Sequence, residues 1–188
     1  MIAYAKRENL FEKAERRWTV EPVGLRRQVP GERDMVMRWT DVVEVRLTYA
    51  PTRMKAWRHK LTLRTRRSTW VIDNAHFAGV GAFEDRSAAF SALVLACVER
   101  VREAAPEATA RLGAAPAAYW AQMGFVGAAF WLLGWVIVAL PTTWSAMVWV
   151  KLGLIVAMLP VLFAFAARAW PRRTTLDPDG FRAALPGG

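Results

Sequence analysis

The sequence predicts an α+β protein, in which a small antiparallel β-barrel capped by one C-terminal helix is followed by a two-helix transmembrane hairpin. Three observations in the 188 residues predict this class. Apolar and polar residues alternate with a period of two up to about residue 74. One apolar stripe then recurs every three or four residues, between 90 and 101. Finally, the 56 residues from 112 to 167 contain a single charge, Lys151.

Short alternating segments predict about six strands within a cytoplasmic domain of residues 16–110. In the clearest one, Val43, Val45 and Leu47 take one face, and Glu44 and Arg46 take the other, as in a half-buried strand. The six predicted segments are 17–20, 23–27, 35–39, 42–50, 57–65 and 68–74. A lead segment, residues 1–15, precedes the domain, and its charge-rich part predicts a short helix over 7–17.

A single amphipathic helix is predicted to plug the open end of the barrel. Its apolar stripe consists of Phe90, Leu93, Val94, Cys97, Val98 and Val101. Acidic residues favour a helix start, so Glu84 and Asp85 predict the N-cap and first turn. Ala105-Pro106 predicts the end.

The apolar stretch predicts two membrane-spanning helices, because one crossing takes about 20 apolar residues. The predicted spans are 118–140 and 146–169, with a turn at Pro141-Thr142-Thr143 and a tail over 170–188. Both flanks are basic, so the positive-inside rule places both termini in the cytoplasm. Arg outnumbers Lys 21 to 5, as is common in GC-rich bacterial genomes. The predicted location is the bacterial inner membrane.

Two features of the hairpin are candidate functional elements. Small residues at helix-packing spacing are Gly124, Ala128, Gly134, Gly153 and Ala157. They fit close packing within the hairpin or against another membrane protein. Lys151 is an intramembrane charge, whose ammonium either reaches the interface, pairs with a partner subunit or takes part in ion movement.

No catalytic or metal-binding motif is present. One cysteine, Cys97, excludes an internal disulfide, and two histidines exclude a histidine-rich metal cluster. Nucleophile, phosphate-loop and dinucleotide fingerprints are absent from the sequence. The ten Trp are dispersed rather than interleaved with the basic strands, which argues against nucleic-acid binding. We therefore expect a protein without enzymatic activity, cofactor or metal.

One segment stands out as a candidate binding surface. Residues 45–72 contain eight cationic side chains and no acid. A surface of this kind suits anionic lipid headgroups or a partner protein, and it is also compatible with a merely solvated strand face. The eight residues are Arg46, Arg53, Lys55, Arg58, Lys60, Arg64, Arg66 and Arg67.

Two segments resemble the pleckstrin-homology-like domains of bacterial membrane proteins. Residues 18–25, WTVEPVGL, look like the first hairpin of such domains, and residues 38–45, RWTDVVEV, look like their W-x-D-I strand. The helix that follows the strands also fits this family. The expectation is a non-enzymatic scaffold or accessory subunit of a membrane protein complex, with a membrane protein or a second copy of the chain as partner. The alternative is a sensor or binder of anionic lipid headgroups.

Overall fold

The chain is α+β in a computed structural model that describes residues 2–8, 10, 14–139 and 145–185. Some side chains within 136–138 and 145–169 also lie outside the description. The chain divides into two compact units. The sheet unit comprises Met1–Gly113 and Arg172–Gly188, and the helix pair comprises Ala114–Pro171.

The sheet unit begins with a four-stranded antiparallel meander, in the order β1-β2-β3-β4. Its strands are β1 (Ile2–Lys6), β2 (Arg16–Val20), β3 (Gly24–Gln28) and β4 (Met35–Arg38). Gly24 permits a close approach of β3 and β4, because a Cβ there would lie 2.3 Å from the Met37 carbonyl oxygen. A 3-10 turn at Trp39–Asp41 follows, and the buried Trp39 indole donates to the Glu21 carbonyl at 2.9 Å.

The second sheet has five strands in the order β11-β10-β5-β6-β7. Strand β10 runs parallel to β5, and the other pairings are antiparallel. A separate hairpin is formed by β8 (Ala75–Gly79) and β9 (Ala82–Asp85). The five strands are β5 (Val42–Tyr49), β6 (His59–Thr65), β7 (Thr69–Asp73), β10 (Thr109–Leu112) and β11 (Arg172–Thr174).

The six predicted strands are confirmed as β2 to β7, while β1 and β8 to β11 were not predicted. Strand β1 buries Tyr4 and Lys6 together, so it shows no apolar alternation along the sequence. The helix predicted over 7–17 is wrong at its described positions, because Arg16 and Arg17 belong to β2. Positions 9 and 11–13 of that segment lie outside the described residues.

A β-bulge alters the predicted faces of β5. The pairing of β5 with β6 shifts between Val42 and Glu44, so Val42 rather than Val43 enters the core. Beyond the bulge the predicted alternation is confirmed, with Val45 and Leu47 fully buried. A bulge adds one residue to one strand and reverses the alternation at that point.

Helix α1 (Ser87–Ala104) buries every residue of its predicted stripe. The predicted start is wrong by two residues, because Glu84 and Asp85 end β9 and Arg86 is the N-cap. Asp85 still caps the helix from outside it, since its Oδ1 accepts the Ser87 amide at 2.9 Å. The helix ends before Ala105, as predicted.

The C-terminal tail is an integral part of the sheet unit. Strand β11 pairs with β10, and helix α4 (Pro178–Arg182) packs against α1. Phe181 is fully buried and Leu185 is 7% exposed. The tail therefore contributes to the core rather than extending from the domain.

The helix pair consists of α2 (Pro116–Ala139) and α3 (Ser145–Ala169), close to the two predicted helices. Pro160 lies inside α3. Large apolar side chains are exposed on both helices, among them Phe125, Trp131 and Trp149. The predicted turn, Pro141-Thr142-Thr143, lies outside the described residues.

The predicted transmembrane hairpin is corrected by the structure. Across the part of the chain that the structure describes, no helix has both the length and the apolar content needed to cross a membrane. The prediction relied on the near-absence of charge over residues 112–167, and a lack of charge does not by itself establish a membrane span. The membrane-protein assignment and the inner-membrane location with cytoplasmic termini depended on these spans, and they are corrected with them.

The sheet unit is expected to fold without the helix pair. Leu112 of β10 pairs with Arg172 of β11, so the two ends of the intervening segment already lie side by side. Replacing residues 113–171 with Asn-Gly, which favours a tight hairpin turn, should preserve β-sheet circular dichroism and one cooperative thermal transition. Loss of that transition would show that the helix pair is required for folding.

Candidate functional site on the outer face of the second sheet

The outer face of the second sheet carries polar and cationic side chains because strands alternate with a period of two. In β6, Leu61 and Leu63 are fully buried, while Lys60 and Arg64 take the opposite face. The register places Lys60 opposite Asp73 and Arg64 opposite Glu44. The carboxylates of Glu44 and Asp73 therefore lie among the cations. In the sequence, these two residues come immediately before and immediately after the acid-free run 45–72.

Asp73 holds two cations at the end of β7. The Lys6 ammonium and the Arg58 guanidinium both donate to its carboxylate, and the Arg58 Nε lies 2.7 Å from Oδ2. Asp73 is 5% exposed and Lys6 is 3% exposed. Burial alone would raise the pKa of the Asp73 carboxyl, but Lys6 and Arg58 outweigh it and hold the pKa below its usual range. The Tyr4 hydroxyl also donates to the Asp73 carbonyl, at 2.7 Å.

A cavity of about 460 Å³ opens beside this ion pair, and we call it the lysine pocket. Five cations and two carboxylates line it, a net formal charge of +3. Burial, followed by repulsion from Arg58, lowers the pKa of both Lys55 and Lys60. The Lys55 ammonium lies 3.5 Å from the centre of the Phe83 ring. The charged lining residues are Lys6, Glu8, Arg16, Lys55, Arg58, Lys60 and Asp73.

Glu44 is the centre of a second cluster, three strands wide. Arg46 donates twice to Oε1, at 2.9 Å from Nε and 2.5 Å from Nη2. Arg64 on β6 lies 3.3 Å from the other carboxylate oxygen, and Arg111 on β10 lies 3.9 Å from Oε1. Glu44 is 8% exposed, so the arginines cover it.

Three arginines form a row across neighbouring strands. Arg46 on β5 is in register with Arg111 on β10, which is in register with Arg173 on β11. The buried Arg46 Nη1 and Arg111 Nε have no hydrogen-bond partner among the described residues. Like charges directly opposite each other destabilise a sheet. We call Arg46, Arg64, Arg111 and Arg173 the arginine face.

The eight predicted basic residues are therefore not one surface. Lys55, Arg58 and Lys60 line the lysine pocket, and Arg46 and Arg64 belong to the arginine face. The other three belong to neither cluster, although Arg66 and Arg67 line a cavity together with Arg64 of the arginine face. Arg66 and Arg67 form the β6–β7 turn, which borders a cavity of about 500 Å³, and Arg53 is exposed in the loop before β6.

Sequence reasoning missed four cations of the site: Lys6, Arg16, Arg111 and Arg173. Each comes from a strand far from the basic run in sequence, and each is brought to it by strand order. Arg111 and Arg173 were visible only as the charges flanking the apolar segment. Lys6 carried no signal, because a buried lysine in a strand cannot be distinguished from an exposed one by sequence pattern.

The candidate residues of the helix pair do not form a described cluster. Added Cβ atoms at Gly124, Gly134 and Gly153 would meet no described atom within 4 Å. Ala128 and Ala157 are exposed. Lys151 lies in α3, and its side chain is outside the described part of the structure.

Two described titratable groups outside these clusters, Cys97 and His59, are buried or packed against neighbouring side chains. Cys97 is fully buried on α1, and burial raises the pKa of its thiol far above the usual range. His59 packs against the Tyr49 ring, with centroids 5.1 Å apart, and burial lowers its pKa. Among the described residues, no three His, Cys, Asp or Glu side chains are grouped so that they could hold a metal.

Comparison of the chain with protein-family models, with curated proteins and with solved structures finds no match. The resemblance to pleckstrin-homology-like domains therefore stays a prediction. The functional argument depends on the two carboxylate-centred clusters of this chain.

Proposed function

We propose that this chain is a non-enzymatic scaffold or accessory subunit that binds an acidic segment of a partner protein on its arginine face. The observation that supports the proposal most is the row of Arg46, Arg111 and Arg173. Three like charges in register on adjacent strands cost stability unless an anion binds them. Glu44 supplies only one carboxylate to this face.

The chemistry of the face favours carboxylates as ligands. A guanidinium presents paired N–H donors that match the two oxygens of a carboxylate. Arg46 already binds a carboxylate, that of Glu44, through two of its nitrogens. Arginine is also enriched in protein interfaces, whereas lysine is depleted. An acidic protein segment therefore fits this face better than the anionic headgroups of a lipid surface do.

The test measures binding of the full chain to a fluorescein-labelled decaglutamate peptide by anisotropy. Changing Arg46, Arg111 and Arg173 together to Gln should raise the Kd by between about threefold and about 150-fold, since each exposed charge pair contributes about 0.2–1 kcal/mol. Added salt should weaken the wild-type complex, because charges are screened over about 8 Å at physiological ionic strength.

A matched control removes three positive charges elsewhere. Changing Arg33, Arg100 and Arg102 to Gln alters the net charge equally but leaves the arginine face intact. Equal losses in the two variants would mean that only net charge matters, and the proposal would fail. Binding to phosphatidylglycerol vesicles without binding to the peptide would replace the acidic protein by a lipid surface.

A further inference from the structure

The lysine pocket differs from the arginine face in shape and in composition. It is concave, and its charged side chains come from both sheets, from the segment after β1 and from the loop before β6. Lys6 lies on β1 of the first sheet, while Lys60 and Asp73 are paired across β6 and β7 of the second. A site assembled from several elements holds its charges in fixed positions, as a small ligand requires.

The carboxylates in the pocket are already engaged. Asp73 accepts from Lys6 and Arg58, and Glu8 lies 3.3 Å from Lys6 and 3.1 Å from Arg16. The charge that these two acids supply is therefore shared among three cations.

Lys55 and Lys60 are left without a carboxylate. Neither has an ion-pair partner among the described residues. The pKa of each ammonium is lowered, first by burial and then by Arg58, so both cations are held in an environment that disfavours their charge. An anion in the cavity would stabilise the charged form of both ammonium groups, because it would give them a partner of opposite charge.

We infer that the lysine pocket binds a small soluble phosphate compound with at least two negative charges, such as a diphosphate. The net formal charge of +3 in a cavity of about 460 Å³ suits a compact multivalent anion. Lysine is a common phosphate ligand because its ammonium acts as a point charge with three donors. A soluble compound fits this site better than a flat surface does, since the site is concave and two of its lining residues, Lys6 and Asp73, are almost fully buried.

This site does not depend on the proposed function. None of the four residues of the arginine face lines the lysine pocket, so the two can be altered separately. The arginine-face variant should lose decaglutamate binding and keep pyrophosphate binding. A lysine-pocket variant should lose pyrophosphate binding and keep decaglutamate binding.

Calorimetric titration of the full chain with inorganic pyrophosphate at low salt is the test. Saturable binding is expected, together with a rise in Tm as pyrophosphate is added, because a ligand that binds only the folded state stabilises it. Lys60→Gln should raise the Kd roughly tenfold or more, the usual loss for one hydrogen bond to a charged group. The same variant should keep or raise the Tm without ligand, since it removes a cation that lacks a carboxylate.

Arg66→Gln is the matched control, because it removes one positive charge from the same pair of strands but outside the lysine pocket. Its Kd for pyrophosphate should stay within about twofold of wild type. Equal weakening by Lys60→Gln and Arg66→Gln would overturn the inference, as would the absence of saturable pyrophosphate binding. Binding to phosphatidylglycerol vesicles alone, lost in Lys60→Gln, would also overturn it by assigning the pocket to a lipid headgroup.

Discussion

Replacing Asp73 with alanine is expected to lower the free energy of unfolding by about 3–5 kcal/mol, the usual cost of breaking a buried ion pair. The change would leave the Lys6 ammonium, which is 3% exposed, without its closest carboxylate. Arg58 would lose its partner as well. Urea unfolding of the full chain, followed by circular dichroism, measures the loss.

Two controls separate the charge effect from packing. Asp34→Ala removes an exposed carboxylate that pairs with Arg26, and it should cost at most about 1 kcal/mol. The double variant Lys6→Met with Asp73→Leu should recover much of the stability, because apolar residues can replace a buried ion pair at little cost. An Asp73→Ala variant as stable as Asp34→Ala would disprove a buried pair at this position.

The same carboxylate should make the wild type sensitive to acid. The folded-state pKa of Asp73 lies below its usual value, so the unfolded state binds the proton more readily. The contribution to stability is therefore present above the unfolded pKa of about 3.9 and is lost as the pH falls through the lower folded value. In Asp73→Ala, this part of the acid dependence should be missing.

Phe181→Ala is expected to destabilise the sheet unit by about 3–5 kcal/mol, although the residue lies in the C-terminal tail. Its side chain is fully buried, and α4 packs against α1. Thermal unfolding and limited proteolysis measure the effect, because a released tail becomes a protease substrate. Rapid cleavage within 172–188 is expected in the variant but not in the wild type.

Arg182→Ala is the control on the same helix. Its side chain is exposed and pairs only with Asp179, at 3.0 Å among the described residues. We expect at most about 1 kcal/mol of destabilisation from this change. If both variants unfold and are cleaved alike, the tail does not contribute to the core.

Local periodicity predicted the parts of the fold that depend on neighbours in sequence. The stripe from Phe90 to Val101 predicted the buried face of α1 in full, because a 3.6-residue period leaves only one face to bury. The alternation in β6 likewise identified Leu61 and Leu63 as core residues. At β5 the same reasoning failed over Val42 and Val43, because a bulge is a property of the strand pair and not of one strand.

The C-terminal segment shows that the absence of charge is not enough to predict a membrane span. The charge-free region predicted two helices close to α2 and α3, but membrane spans were inferred from it as well, and the described helices do not meet that requirement. The tail after it contains few residues and no clear period. Its place in the core follows from the pairing of β11 with β10 and the burial of Phe181, both contacts between parts of the chain about 60 residues or more apart.

The candidate site combines both kinds of information. A run of eight cations without an acid was evident in the sequence, and it identified the β6 and loop residues that carry much of the charge. Its division into two clusters was not evident, because it depends on where strand order places Glu44, Asp73 and their partners from distant strands. Register brings Arg111 beside Arg46 and Arg173 beside Arg111, and side-chain contacts from β1 bring Lys6 onto Asp73. Electrostatic energy depends on separation in space, so side chains remote in sequence complete both clusters.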